Sequence, residues 1–85
     1  MGKYKLKVKK SAEKELGEIP KRDLLKIINK IQSLSDDPHP EGSIKLSNQE
    51  KYRLRVGNYR VLYKVEDNIL TIFIVKVGHR KDIYS

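Results

Sequence analysis

Cysteine is absent from the 85 residues of the chain. That removes disulfides, thiolate chemistry and most structural zinc designs, and it is compatible with a reducing compartment. Long apolar runs are absent too, so no segment reads as a membrane span. The first residues do not read as a signal peptide, because Lys3 to Lys10 alternates lysine with apolar side chains. A soluble, cytoplasmic protein is the expectation. Acidic residues are scarce: 11 against 19 lysines and arginines, a formal net charge of +8 and a pI near 9.8. Such an excess on a small surface attracts polyanions, with nucleic acid or an acidic protein as candidate partners. No amphipathic helix combines a basic face with aromatic anchors, which argues against a membrane surface.

What the chain does contain is enough apolar material, 38% of residues, for one small core. Residues 1–85 are expected to form a single domain. Tyr4, Leu6 and Val8 alternate with Lys5, Lys7 and Lys9, which predicts a strand with one buried face. Ser11 is a candidate N-cap for a short helix carrying Ala12, Leu16 and Ile19, with Glu13 in its first turn. Pro20 fits the start of a second helix. There Leu24, Ile27, Ile28 and Ile31 fill the i, i+3, i+4, i+7 template, with Leu25 and Leu34 widening the stripe. Ser35 to Ser43 reads as a loop.

Beyond that loop the period changes to two. Ile44 to Leu46 reads as a brief strand or an extended lead-in, and Lys51 to Val56 as a strand. Gly57-Asn58 is a two-residue hairpin signal, after which Tyr59 to Val65 returns. Asp67-Asn68 is a weaker turn signal. Ile69 to Val77, apolar on both faces, predicts the central strand. The expected fold is α+β: a strand, a helical hairpin, then a three-strand antiparallel meander, the helices on one face of an antiparallel sheet.

A two-residue loop fixes which side chains share a face. Val56 should face Tyr59, Arg55 face Arg60, Leu54 face Val61, Arg53 face Leu62, and Lys51 face Lys64. One face is then apolar and the other carries Lys51, Arg53, Arg55, Arg60 and Lys64 around Leu62, with no acid. Like charges directly opposed on a sheet cost roughly 0.2–1 kcal/mol per pair. A bound anion reverses that cost, because guanidinium forks match phosphate bidentately. A solvated strand face is the ordinary alternative, but it would normally mix signs.

The C-terminal segment Val77-Gly78-His79-Arg80-Lys81-Asp82-Ile83-Tyr84 adds further chemistry. Histidine ordinarily titrates near 6.5, which makes His79 a candidate for proton transfer. Arg80 and Lys81 extend the positive charge, and Tyr84 suits stacking on an unpaired base. Metal catalysis is not expected, since the histidines lie far apart and Asp36-Asp37 sits in a loop by composition. No cofactor motif appears.

Lys51-Tyr52-Arg53-Leu54-Arg55-Val56-Gly57-Asn58-Tyr59-Arg60-Val61-Leu62-Tyr63 and Val77-Gly78-His79-Arg80-Lys81-Asp82-Ile83-Tyr84 together resemble the RelE/ParE toxin superfamily, its RelE branch in particular. The resemblance covers the whole chain and the order of its elements. It implies the toxin of a type II toxin–antitoxin pair: a metal-independent, ribosome-dependent endoribonuclease that cuts mRNA in the A site and is silenced by a cognate antitoxin, here expected to be acidic. By that resemblance, Arg53 and Arg55 bind the RNA backbone and help activate the 2′-hydroxyl. Arg60 stabilises charge on the scissile phosphate, Arg80 lies near the leaving oxygen, and Tyr84 stacks on a base. The paired positions are often lysine in the family. Arginine hardly deprotonates, so His79 is the expected general acid and Glu50 a distant candidate base. Lys51, Lys64 and Lys81 are expected to contact RNA. A ParE-like gyrase poison, a non-catalytic nucleic-acid binding module and an inactive relative are the competing readings.

Overall fold

The computed structural model describes residues 3–46 and 51–79. The elements run β1 (Lys5–Val8), α1 (Lys10–Leu16), α2 (Lys21–Ser33), β2 (Ser43–Leu46), β3 (Lys51–Val56), β4 (Tyr59–Glu66) and β5 (Thr71–His79), with a 3-10 turn at Asp67–Ile69 between the last two strands. The architecture is α+β. Both helices pack on one face of a single sheet ordered β1-β5-β4-β3-β2, where Ala12, Leu16, Ile27, Ile31 and Leu34 meet Leu54, Val61, Tyr63, Ile72, Ile74 and Val77. Among the described residues no helix is long and apolar enough to cross a membrane.

The sheet is larger and more mixed than an antiparallel meander. Ser43–Leu46 is a true edge strand, antiparallel to β3. At the other edge β1 joins parallel to β5. β5 is flanked on both sides but lies off centre; the middle position belongs to β4. The apolar character of β5 on both faces has a local cause. Ile72 and Ile74 enter the core, while Phe73 and Val75 lie half-buried on the other face, in a hollow shared with Lys7, Lys9 and Lys64. The aliphatic stems of lysine suit such a surface.

Helix entry also differs from the expectation. Ser11 is not the N-cap: α1 begins at Lys10, and Lys9 occupies the cap in an extended conformation without a side-chain cap bond. The Lys9 N–H donates to the Ile74 carbonyl at 2.9 Å and the Lys9 carbonyl accepts from Glu13 N–H at 2.9 Å. One residue thus closes β1 and opens the helix. Pro20 caps α2 as expected, its carbonyl accepting from Leu24 N–H at 2.8 Å. Leu34 is buried, but Leu25 is 56% exposed and lies outside the stripe.

The loop before β2 is tied down from beneath. The Tyr63 hydroxyl donates to the Pro38 carbonyl at 2.8 Å, and burial pushes its phenol up to about 12. Tyr52 stacks on Tyr63 with ring centroids 5.5 Å apart, and His39 tilts against Tyr52 at 4.6 Å. Ser43 then donates to the Pro40 carbonyl from its N–H at 3.0 Å and from its hydroxyl at 2.7 Å. These contacts set where β2 starts.

Candidate nucleic-acid interface

The hairpin that carries the arginines has the register expected of a two-residue loop. Val56 pairs with Tyr59, Arg55 with Arg60, Leu54 with Val61, Arg53 with Leu62 and Lys51 with Lys64. Gly57 has φ 59 and Asn58 is not in the positive-φ region. A positive φ at the first central residue alone is the arrangement of a type II′ turn, which matches the twist of the flanking strands. Leu54, Val56, Val61 and Tyr63 are buried beneath the helices. The alternate residues therefore emerge on the open face of the sheet, opposite the two described helices.

Arg53, Arg55 and Arg60 converge there. With Gly42, Ser43 and Ile44 they line a cleft of about 390 Å³, within the size range of small-ligand sites. Arg55 is exposed, while Arg53 and Arg60 are half-buried. Among the described residues no carboxylate is paired with Arg53 or Arg55. Guanidinium groups on one patch can hold a phosphate and offset the charge that gathers on its oxygens during displacement. Lys51 lies on the same face.

Lys64 shares the face but has a partner. β4 extends to Glu66, whose carboxylate meets Lys64 Nζ at 2.9 Å. The expectation that no acid lies on this side is thereby corrected at its far end. Leu62 is half-buried between Arg53 and Lys76 in the cross-strand rows.

His79 is the residue that the structure separates from the arginines. From Ile72 and Ile74 on the core face, strict alternation would put His79 on the open face. Instead the β4–β5 pairing slips by one between Leu62 and Tyr63: Tyr63 faces Ile74 and Leu62 faces Lys76, leaving Val75 unmatched. An extra residue in a strand reverses the parity of everything after it. Val77 returns to the core, Gly78 pairs with Arg60, and His79 pairs with Tyr59 on the helix side. Its ring meets that of Tyr59 edge-on, with centroids 5.5 Å apart. Both line a second cleft, of about 300 Å³, with Glu15, Glu18, Ile19 and Lys76. In this cleft Glu15 Oε1 accepts from the Val77 N–H at 3.0 Å, holding the strand beyond the reach of β1. Burial, then Asp23, raises the Tyr59 phenol above its ordinary value. The structure thus places the His79 ring beside Tyr59 and does not bring it into the arginine cleft.

Glu50, Arg80, Lys81 and Tyr84 lie outside the described residues. Sequence reasoning overlooked Gly42, Ser43 and Ile44 as walls of the arginine cleft. A signal for Ile44 existed: Ser43-Ile44-Lys45-Leu46 alternates, and its cross-strand partner is Arg53. Among the described residues no three His, Asp or Glu side chains are grouped to share a metal ion.

Comparison with known proteins places this geometry. The sequence model of the family described as ParE toxin of the type II toxin–antitoxin system matches residues 6–84. Toxin RelG of Mycobacterium tuberculosis is 30% identical over 83 residues, covering 95% of each chain. Among solved structures, the toxin–antitoxin complex RelBE2 of Mycobacterium tuberculosis superposes with a TM-score of 0.80 at 28% identity, covering 91% of this chain and 98% of the other. The archaeal RelE–RelB complex of Pyrococcus horikoshii gives a TM-score of 0.81 at 26% identity, covering 95% and 99%. With the match running nearly end to end and the fold shared, this chain belongs to the RelE/ParE superfamily of type II toxin–antitoxin toxins.

Proposed function

We propose that the protein is a RelE-type endoribonuclease that cuts mRNA in the ribosomal A site and so arrests translation. The observation that carries this reading is the convergence of Arg53, Arg55 and Arg60 in one cleft on the face of the sheet opposite the described helices. The ribose 2′-oxygen attacks the adjacent phosphorus and loses its proton, and the bond from phosphorus to the 5′-oxygen breaks. That oxygen gains a proton, leaving a 2′,3′-cyclic phosphate and a 5′-hydroxyl. Arg60, half-buried between Arg55 and Gly78, is suited to stabilise the negative charge on the phosphoryl oxygens. Arg53 and Arg55 hold the backbone, and Lys51 adds charge beside them. Arg80, Lys81 and Tyr84 keep the roles that the family resemblance implies. All of these side-chain chemistries work without a metal ion.

The natural silencer is a cognate antitoxin, as in the RelB complexes of the similar structures. An acidic partner complements the open face. The test is expression in a translating extract with mapping of new mRNA 5′ ends. Cuts within codons, with cyclic phosphate on the upstream fragment and absent for Arg60→Ala, are the expected result. Intact mRNA under arrested growth would sink the reading. One observation favours a second activity, because the matching family model is described as ParE toxin: inhibition of DNA gyrase, visible as lost supercoiling without RNA cleavage.

A further inference from the structure

The arginine cleft has one wall that phosphate chemistry does not explain. Ile44 is 52% exposed on the edge strand β2, yet it lies inside the cleft rather than on an outer surface. Its register partner is Arg53, so the two side chains project from the same face as cross-strand neighbours. Two residues before it Gly42 has φ +95, and no described residue lies within 4 Å of where a Cβ would stand, so among the described residues the cleft is open at that end. The position of β2 is fixed from the loop side by the two bonds of Ser43 to Pro40 and by Tyr63 on Pro38. An aliphatic side chain is therefore held at a set place beside guanidinium groups, and among the described residues it is half exposed.

A single-stranded nucleotide has two parts that need different surroundings. Its phosphate requires charge, and its unstacked base requires an apolar or aromatic surface. Phosphate contacts position the strand and carry no sequence information; contacts to the base do. We infer that Ile44 is a specificity-determining residue that takes the face of the nucleobase attached to the phosphate held by Arg53, Arg55 and Arg60. The proposal rests on the ribonuclease reading and extends it from the backbone to the base. Charge complementarity selects RNA as the occupant: the apolar wall is continuous with three arginines, and among the described residues of the cleft lining there is no acid. A β-branched side chain has few rotamers to lose on contact, which suits a fixed platform. Its discrimination follows the contact area of the base, because isoleucine offers no hydrogen bond.

The test compares wild type, Ile44→Ala and Ile44→Leu in a translating extract by mapping cut sites and initial cleavage rates at limiting toxin. Ile44→Ala is expected to cut roughly tenfold more slowly, the loss of burying part of one aliphatic side chain, and with a flatter distribution over the bases at the cut. Ile44→Leu restores most of the rate but shifts the distribution. Thermal unfolding serves as the control and should be unchanged, since the side chain is largely exposed. If wild type cuts and Ile44→Ala cuts at the same sites and rate, the inference is overturned alone, and the exposed isoleucine is left to a protein partner. If wild type makes no cuts, the ribonuclease reading fails and takes this inference with it.

Discussion

Arg55 and Arg60 oppose each other across the hairpin, and among the described residues Arg55 has no carboxylate paired with it. In the free protein this pair costs up to about 1 kcal/mol. Arg55 is the exposed member, so Arg55→Ala should leave the unfolding midpoint unchanged or slightly raised while abolishing growth arrest; a lower midpoint in urea would mean that the guanidinium is a structural contact. Lys64 behaves differently from the arginines, because Glu66 already neutralises it at 2.9 Å. Exposed ion pairs contribute little to stability, but this one competes with phosphate. His79 provides a sharper contrast. Its ring faces Tyr59 on the helix side, opposite the arginine cleft. His79→Ala is expected to cut RNA within about threefold of wild type, whereas a general acid contributes on the order of 10²–10⁴. A hundredfold loss with unchanged stability would return the imidazole to the reaction.

At the scale of elements, the cleft depends on how the loop before β2 is fastened. Tyr63 crosses beneath the sheet end to the Pro38 carbonyl, and Ser43 holds Pro40. Tyr63→Phe removes one buried hydrogen bond and leaves a carbonyl short of its donor, a loss of about 1–2 kcal/mol in urea unfolding. The pH dependence has a definite sign. In the unfolded chain the phenol ionises near its ordinary value of 10, and in the fold burial pushes it up to about 12. The folded state therefore retains a proton that the unfolded state has lost, and stability falls as pH rises from about 10 towards 12. Tyr63→Phe should abolish that part of the alkaline decline; an identical decline would assign it to other groups. The same elements explain what could be read in advance. The β3–β4 register was legible because Gly57-Asn58 permits one geometry, and with it came the arginine face. β2 was harder, since Ser43-Ile44-Lys45-Leu46 buries nothing fully and its strand character comes from pairing with β3. The side of the sheet taken by His79 was not legible at all. A bulge in a strand that is apolar on both faces leaves no break in the pattern to reveal it.

Across the whole molecule charge is distributed by face as well as by amount. The helix layer mixes signs, with Glu13, Glu15, Glu18 and Asp23 among its lysines. The described strands of the open face present Lys7, Lys51, Arg53, Arg55, Arg60 and Lys64 against Glu66. A net charge of +8 thus acts on a polyanion mainly from one side. Binding to single-stranded RNA should weaken with salt in proportion to the phosphates engaged. With Arg53, Arg55, Arg60 and Lys51 as the contacts, log Kobs against log salt is expected to slope by about −3, from roughly 0.7 per phosphate. Arg53→Ala should make the slope shallower by about 0.7, while Lys64→Ala, already balanced by Glu66, should change it by much less. Titration of a labelled single-stranded RNA from low to moderate salt measures both. An equal change from the two substitutions would show that total charge governs binding, and the arginine cleft would lose its claim to be the place where the backbone lies.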